Sequence, residues 1–389
     1  MISRRGFLTA STAAATAVVG AVGASKLQFD SDQQIAQTAV GQKTVSPHGI
    51  HQAGIDLELQ SHSRFMAFDI PNGILKSDLA KWAELITDDI VRLTAGKPVL
   101  ADPSAEFAGA PARLTITVGF SPNLLRKIGA EIPAGFGELP KFKIDRLKPE
   151  FSDGDILIQV SSDDPISLFY ASRALTRDTE SFAKLRWAQQ GFSNAAGVTP
   201  TGHTQRNLMG QIDGTDNPRP GTEVFDRQVW ISEGPAWAVG GTCLVLRRIQ
   251  MNLDTWDRLS TDAKEGVIGR KLSNGAPLGK ENETDLPDFE AKDENGIKVI
   301  PPFAHIRKAS GKPEQQFFRR PFNYEVPGQE AGLLWTAYCA NVENQYVPIQ
   351  KALDEGDLLN LWTTPVGSSV WILPRGFQKG EVLAGDLFA

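Results

Sequence analysis

The histidines of this chain restrict the metal chemistry that it could perform. The sequence has 389 residues and five histidines, and no two histidines have the close helical spacing of a zinc site such as H-E-x-x-H. Its two cysteines are too few for an iron–sulfur cluster or a cysteine-rich zinc site. A metal would therefore need histidine or carboxylate ligands, or would belong to a haem, which requires only one protein ligand. The histidines are His48, His51, His62, His203 and His305.

His305 differs from the other four histidines in its surroundings. It lies in Pro301–Lys308, between a rigid apolar run and two cations. An apolar neighbourhood suits one face of a porphyrin, and Arg307 could pair with a haem propionate. The competing interpretation is a structural or surface histidine, which describes most single histidines.

Asp213 is the candidate acid, in the segment Arg206–Pro218. Asp-Gly is a strong turn signal, and the spacing alone favours a solvated turn. The glycines at 210 and 214 would also let the backbone approach a flat ligand closely, with the carboxylate of Asp213 pointing over that ligand.

Two adjacent arginines, Arg319 and Arg320, lie in the aromatic run Phe317–Tyr324. Surface cations with buried aliphatic stems would produce the same pattern. An arginine beside an apolar pocket can instead stabilise negative charge that develops during a reaction. The run alone does not decide between these two interpretations.

In their order along the chain, these segments resemble the dye-decolourising peroxidase family. The similarity runs from about Gly49 to the C-terminus, and the G-x-x-D-G motif of the family is matched by Gly210, Asp213 and Gly214. That motif and four other segments in the correct order make a strong case. The other matching segments are GIHQAGI at 49–55, AHIRK at 304–308, RRPFNY at 319–324 and QYVPIQ at 345–350.

The resemblance implies a fold and a cofactor. The family has two ferredoxin-like α+β domains with antiparallel sheets, as in the dimeric α+β barrel superfamily, and one haem b per chain held mainly by the C-terminal half. His305 would be the proximal ligand of the haem iron, with its other ring N–H held by an acceptor that raises its basicity. Further haem contacts are expected from Arg307, Gly214, Thr215, Leu333 and Trp335.

The resemblance also implies a reaction, in which hydrogen peroxide is used to oxidise dyes, phenolics or other small aromatic reductants through an oxoferryl intermediate. Asp213 would carry the proton from the near to the far oxygen of bound peroxide. Arg319, with Arg320 as the alternative, would stabilise the charge that builds as the O–O bond breaks. Two other functions stay open: an exported haem-binding protein that releases iron from haem, as in deferrochelatase-like members, and a non-haem α+β binding domain.

The sequence departs from the family pattern at two places. Trp335 follows Gly332-Leu-Leu where the family often has phenylalanine, and it could fill the pocket or serve as an oxidisable relay. At 359–362 the sequence reads Leu-Asn-Leu-Trp, where an acidic residue often follows the asparagine. The acceptor for the far nitrogen of His305 is therefore not identified by the sequence.

Alternating strands and helices must position these residues. A cluster of Ser, Asn, Gly, Thr and Pro near 193–206 predicts a boundary between an N-terminal domain at 51–200 and a C-terminal domain at 201–389. Residues 271–301 are polar and predict a long loop. The hydrophobic patterns predict strands at 64–69, 114–118, 156–160, 184–192, 241–251, 331–340 and 368–374, with helices opening at 121–122 and spanning 79–93, 165–177, 252–270 (with a break near Ser260) and 345–353.

The N-terminus predicts export. Residues 1–24 have a basic start, a modestly apolar middle and small residues at a plausible cleavage site, and Arg4-Arg5 followed by Gly-Phe-Leu resembles a twin-arginine signal. The segment is too short and too rich in Ala, Thr, Ser and Gly to favour a transmembrane anchor, so we expect no stable membrane insertion after cleavage. Residues 25–50 read as a linker, and the mature protein is expected in the periplasm or outside the cell.

Composition and charge narrow the partners. Hydrophobic residues make up 41% of the chain, which is typical of a globular protein. Removing residues 1–24, with two arginines and no acidic residue, changes the formal net charge from −6 to −8, and no basic run suggests nucleic acid as a partner. Cys243 and Cys339 lie in apolar runs and are expected to be buried free thiols, although export would permit a disulfide. A homo-oligomer is left open.

Overall fold

The structure is a computed structural model that describes residues 40–100, 102–103, 105–200 and 203–389. The predicted signal at 1–24 and residues 25–39 of the predicted linker lie outside the described residues. The last part of that linker contacts the folded body, because Gly49 N–H donates to the carbonyl of Phe377 at 3.1 Å and His48 forms a β-bridge with Phe377.

The N-terminal half forms an antiparallel sheet with helices packed on one face. Leu79, Trp82 and Ile86, at helical spacing, bury one side of the first long helix. Asp164 begins the third helix by accepting a hydrogen bond from Ser167 N–H. The elements are β1 (His62–Asp69), α1 (Lys76–Thr94), β2 (Thr115–Phe120), α2 (Pro122–Lys127), β3 (Ile156–Ser162), α3 (Pro165–Thr179) and β4 (Lys184–Phe192). The strand order is β2-β3-β1-β4.

The C-terminal half repeats this plan with more irregular connections. Its elements are α4 (Glu223–Val229), β5 (Thr242–Met251), α5 (Leu253–Trp256), α6 (Thr261–Ile268), α7 (His305–Ala309), β6 (Phe318–Arg319), β7 (Phe322–Val326), β8 (Glu330–Cys339), α8 (Val347–Asp354), β9 (Thr363–Leu373) and α9 (Gly385–Phe388). The strand order is β9-β5-β8, and β6 and β7 both pair with the remaining edge of β8. A π-helical turn, Val342–Tyr346, leads into α8.

The two sheets join into a barrel. Each half places its first and third main strands in the centre, which is the ferredoxin-like order. Phe120 of β2 pairs with Ile372 of β9, and Phe192 of β4 pairs with Asn323 of β7, so both sheet edges are closed. The barrel interior is filled by large apolar side chains from both halves, including Phe65, Leu157, Trp187, Leu246, Phe322 and Trp371.

The predicted fold class is confirmed: the chain is α+β with antiparallel pairing throughout the sheet. The expected break near Ser260 is present, because the Ser260 hydroxyl accepts from Ala263 N–H and begins α6. The sequence did not predict β6, β7, α4, α7 or α9. The boundary between domains near residue 200 stays a prediction.

The two cysteines are free and buried, as predicted. Cys243 and Cys339 lie directly opposite each other on β5 and β8. Burial raises the pKa of both thiols, that of Cys339 to about 12.

Within the described ranges, no helix combines the length and the apolar character needed to cross a membrane.

Candidate active site

The outer face of the C-terminal sheet carries the candidate site. Successive strand residues point to opposite sides of a sheet. On β8, Leu334 and Tyr338 fill the barrel interior, whereas Leu333 and Trp335 point outward. Leu333 is buried in a cluster that we call the apolar wall, and Trp335 is partly exposed beside it. The wall consists of Met209, Met251, Trp256, Val267, Ile268 and Leu333, flanked by the partly buried Ile306, Leu358, Leu359 and Trp362.

The same periodicity separates the two candidate arginines. Arg319 lies opposite Ala337 of β8 and therefore shares the outward face. Arg320 is only 4% exposed and donates to the carbonyl of Leu57 and, at 3.4 Å, to Oε1 of Gln60. Burial lowers the pKa of Arg320. The structure thus brings Arg319 to the site and commits Arg320 to the protein interior.

Asp213 lies in a loop whose backbone requires glycine. Gly210 has φ +79° and Gly214 has φ +122°, a region that residues with a Cβ rarely adopt. Oδ1 of Asp213 is 3.6 Å from Nη1 of Arg319, an ion pair slightly too long for a hydrogen bond. Its Oδ2 accepts from Nδ2 of Asn207 at 3.5 Å. The acid and the guanidinium therefore meet, with hydrogen-bonding capacity left for a ligand.

The helix α7, which begins at His305, is fixed from two sides. Gly269 ends α6 with φ +92°, and a Cβ there would lie 2.7 Å from Cγ1 of Ile306, so glycine allows α6 and α7 to pack this closely. The guanidinium of Arg307 donates to three backbone carbonyls of the preceding loop, between Phe289 and Pro301. The guanidinium of Arg307 therefore anchors this loop, and the propionate contact expected of Arg307 stays a prediction.

His305 is oriented by a buried carboxylate. Its Nδ1 lies 2.7 Å from Oδ2 of Asp357, whose side chain is 3% exposed. The other oxygen of Asp357 accepts from Leu359 N–H at 2.9 Å. The carboxylate favours the imidazole tautomer that carries its proton on Nδ1. Nε2 then has a free lone pair that can bind a metal ion. No hydrogen bond to Nε2 occurs within the described part of the chain.

Asp357 is the site residue that the sequence did not reveal. An acid was sought at 359–362, but the acceptor lies upstream, where Asp357 caps the short 3-10 turn Leu358–Leu361. An acid immediately before a helical turn is a capping signal, and that signal alone does not connect it with a histidine 52 residues earlier. The long loop between β5 and β6 brings the two together.

His305 and the Asp213–Arg319 pair are close enough to influence each other electrostatically. Burial opposes a charged imidazole, but the carboxylate of Asp357 and, more weakly, that of Asp213 outweigh it and raise the pKa of His305. The positive charge of Arg319 acts in the opposite direction. Charges affect one another this way only over short distances, so Asp213 and Arg319 lie in the neighbourhood of His305.

Two of the other predicted contacts have protein partners. Thr215, next to Gly214 in the loop, donates from Oγ1 to Oε1 of Glu283 at 2.8 Å. The Trp335 indole lies 5.7 Å from the ring of Phe317 and 5.8 Å from that of Tyr346, centroid to centroid. Trp335 therefore belongs to an aromatic cluster at the edge of the apolar wall. Both roles considered for it, pocket filler and redox relay, stay predictions.

The donor set fits a haem. His305 offers one free ring nitrogen beside an apolar wall, and an acid and a guanidinium lie close enough to affect the pKa of its imidazole. Across the residues that the structure describes, no group of three or more His, Cys, Asp or Glu could hold a metal ion. An iron porphyrin needs only the single imidazole, whereas a metal bound by side chains alone would need several ligands.

The barrel and this site together define a haem-dependent peroxidase built from two ferredoxin-like halves. Comparison with protein families agrees with that class. Residues 52–193 match the family model described as Dyp-type peroxidase, N-terminal, and residues 204–378 match Dyp-type peroxidase, C-terminal. The chain belongs to the Dyp-type peroxidase family.

Individual relatives support the same assignment. The chain is 36% identical over 376 residues to a dye-decolorizing peroxidase of Thermobifida fusca (strain YX), covering 91% of this chain and 85% of the relative. The crystal structure of a DyP-type peroxidase from Cellulomonas bogoriensis has a TM-score of 0.87 at 43% identity, covering 90% of this chain and 99% of that one. A deferrochelatase of Escherichia coli (strain K12) is 30% identical over 366 residues, covering 87% and 86%.

The predicted enzyme class is therefore confirmed: the protein is a haem-dependent, dye-decolourising peroxidase. The deferrochelatase is less similar to it than the dye-decolorizing peroxidase is. The non-haem binding domain considered above is excluded by this membership.

Proposed function

We propose that this chain would bind one haem b through Nε2 of His305 and would oxidise small aromatic reductants with hydrogen peroxide, with Asp213 as the proton carrier and Arg319 as the charge-stabilising cation. The observation that supports this proposal most directly is the Asp213–Arg319 pair near an imidazole whose Nδ1 is held by Asp357. When bound, the haem supplies the redox chemistry, and the protein supplies geometry and charge.

Asp213 would act as the proton carrier. Its carboxylate has one oxygen beside Asn207 and one beside Arg319, and neither contact is shorter than 3.5 Å. It would accept the proton from the near oxygen of peroxide and deliver it to the far oxygen, which leaves as water. Such proton transfer by a positioned group typically contributes about 10²–10⁴-fold to a rate.

Arg319 would stabilise the negative charge that develops as the O–O bond breaks. The guanidinium carries a permanent positive charge and is held on the same face of the sheet as the apolar wall. Removal of water from this wall strengthens the interaction between that charge and the developing anion.

The test compares Asp213→Ala, Arg319→Ala and a control, Asp216→Ala, in haem-loaded protein. Asp216 is an exposed acid in the same loop, so its removal changes the local charge without touching the site. Mixing with peroxide in a stopped-flow instrument should show spectral changes slowed at least about 100-fold in the Asp213 variant, with the control unchanged and the haem retained. A normal rate in Asp213→Ala would remove this residue from the mechanism.

Reductants would approach beside the loop that carries Asp213. A cleft of about 720 Å³ is lined by residues 203–206 and Ile212 on one side and by 273–274 and 281–283 on the other. A Cβ at Gly214 would lie 3.4 Å from Cγ2 of Thr204, and Glu283 bonds Thr215, so the cleft adjoins the loop that carries Asp213. Its volume lies in the range of small-molecule sites, and its polar lining suits phenols.

Release of iron from haem is the competing activity, and a direct measurement separates it from peroxidation. After turnover with peroxide and a phenolic reductant, we expect the haem spectrum to persist and no ferrous iron to appear with a chelating dye. Accumulation of iron-free porphyrin would favour haem breakdown for iron supply.

We also propose that the protein is exported by the twin-arginine route. The support is the N-terminal pattern around Arg4 and Arg5. Fractionation of cells producing the wild-type chain and an Arg4→Lys/Arg5→Lys variant tests it, because only the wild type should appear in the periplasm or the medium.

A further inference from the structure

Arg319 is held by the side chain of one residue, Asn217. Oδ1 of Asn217 accepts from the backbone N–H of Arg319 at 3.1 Å and from its Nε at 3.2 Å. Nδ2 of Asn217 donates to the backbone carbonyl of Arg319 at 2.8 Å. Three hydrogen bonds thus join the side chain of Asn217 to Arg319, two to its backbone and one to its guanidinium, across 102 residues of sequence.

The need for these bonds follows from the position of Arg319 in the sheet. In an antiparallel pair, successive residues direct their N–H and C=O alternately toward and away from the partner strand. The N–H of Arg320 donates to Thr336 of β8, so the backbone of Arg319 faces the free edge of β6. The amide of Asn217 satisfies that edge as a neighbouring strand would, and its oxygen additionally holds Nε.

Asn217 also links the arginine to the acid. It belongs to the same loop as Asp213, and its own N–H donates to the carbonyl of Gly214 at 3.1 Å. The loop therefore meets Arg319 twice: through the Asn217 amide and through the Asp213 carboxylate, 3.6 Å from Nη1. Because Nε is fixed, an otherwise flexible arginine side chain directs its remaining N–H groups toward Asp213.

We propose that Asn217 is a positioning residue for Arg319, which sets the distance between the guanidinium and the reacting ligand. This inference rests on the proposed function of Arg319. Asparagine is the residue type that fits: serine lacks the second group, aspartate lacks the donor for the Arg319 carbonyl, and glutamine is one methylene too long. Asn217 itself would not contact peroxide.

Fluoride provides a test that does not depend on turnover. Fluoride binds ferric haem iron and accepts hydrogen bonds from donors on the open face, so its Kd reports the position of Arg319. The measurements are fluoride titrations of haem-loaded wild type, Asn217→Ala, Arg319→Ala and the double variant. We expect the Kd to rise at least 10-fold in Arg319→Ala and about 5- to 10-fold in Asn217→Ala. The double variant should bind fluoride no more weakly than Arg319→Ala, because Asn217 acts through the arginine.

Gln52→Ala is the matched control, since Oε1 of Gln52 also accepts from the backbone N–H of one residue, Val118, and its Nε2 donates to the carbonyl of that residue, both at 2.9 Å, in the N-terminal half of the chain. Asn217→Gln is a second variant that retains the amide in case Asn217→Ala does not fold, and it should weaken fluoride binding similarly. Additive effects in the double variant, or wild-type Kd values in both Asn217 variants, would overturn the positioning role. An unchanged Kd in Arg319→Ala would instead refute the proposed function of Arg319.

Discussion

Replacing Asp357 tests the proximal side of the site quantitatively. The carboxylate lies 2.7 Å from Nδ1 of His305 and is 3% exposed, so this hydrogen bond is largely shielded from water. A hydrogen bond to a charged group contributes about 1.5–3 kcal/mol. Loss of a partner that holds a metal-binding histidine typically lowers metal affinity about 10- to 100-fold. Since a tenfold change equals about 1.4 kcal/mol, the two estimates agree.

Two substitutions of Asp357 should fall at opposite ends of the 10- to 100-fold range of lost affinity. Asp357→Asn keeps an oxygen for Nδ1 but removes the charge, so we expect haem loss to accelerate about 10-fold. Asp357→Ala leaves the ring N–H without an acceptor, and we expect about 100-fold. The assay is haem transfer from the ferric protein to an excess of a haem-scavenging apoglobin, followed by absorbance.

The control for this experiment is Asp354→Asn. Asp354 is an acid near Asp357 that accepts from the backbone N–H groups of Lys143 and Ile144, both at 2.9 Å. Asp354 is therefore a nearby acid that also accepts backbone hydrogen bonds, but it does not contact His305. Transfer rates in both Asp357 variants that equal the rate of this control would refute the argument that the carboxylate holds the haem ligand.

Three further predictions concern stability, the arginines and the cleft. The pKa of Asp89 is raised from 3.8 to about 7 by burial and by the neighbouring carboxylate of Asp178. The folded state therefore keeps a proton on Asp89 that the unfolded chain loses between about pH 4 and about pH 7, so the free energy of unfolding of the wild type falls across that interval. Asp89→Asn avoids this loss, so its stability should exceed that of the wild type increasingly across the interval, by at most about 4 kcal/mol, and should equal it below about pH 4. Thermal melts at several pH values measure the difference. Arg320→Ala should lower the melting temperature more than Arg319→Ala while slowing the reaction with peroxide less, because Arg320 is buried on the carbonyl of Leu57; equal melting temperatures would contradict this. Asn282→Trp, which narrows the cleft, should raise KM for bulky phenols and leave the peroxide step unchanged, and steady-state kinetics with reductants of increasing size decide it.

Much of the fold could be predicted from the sequence because most elements repeat their period over several turns or pleats. The strand Lys184–Phe192 has the predicted bounds, and the helix predicted from Leu79 to Leu93 extends only a few residues further at each end. The elements that were missed are short: β6 has two residues and pairs only through β8. A two-residue strand is too short to show a period-two pattern, so β6 can be recognised only from its pairing with β8.

The site was predictable as a set of residue types, and its geometry was not. His305, Asp213 and Arg319 were identified from motifs, but the choice between Arg319 and Arg320 depends on which residue lies opposite Ala337. A shift of one residue would exchange the two. The contact between Asp357 and His305 likewise depends on how two distant segments of the chain meet, which no local sequence pattern predicts. The same holds for the hydrogen bonds from Arg307 to its own loop.

Different contacts position His305 and the Asp213–Arg319 pair, so substitutions should affect the two parts of the site differently. His305 begins a five-residue helix that has no side-chain cap, so its direction depends on Asp357, on Arg307 and on close packing against Gly269. The acid and the arginine are instead tied to the edge of a barrel strand through Asn217. Changes in the long loop before His305 should therefore alter haem retention, whereas changes in the 213–217 loop should alter the chemistry of the bound ligand. A substitution that affected both equally would show that the two sides are mechanically coupled through the haem itself.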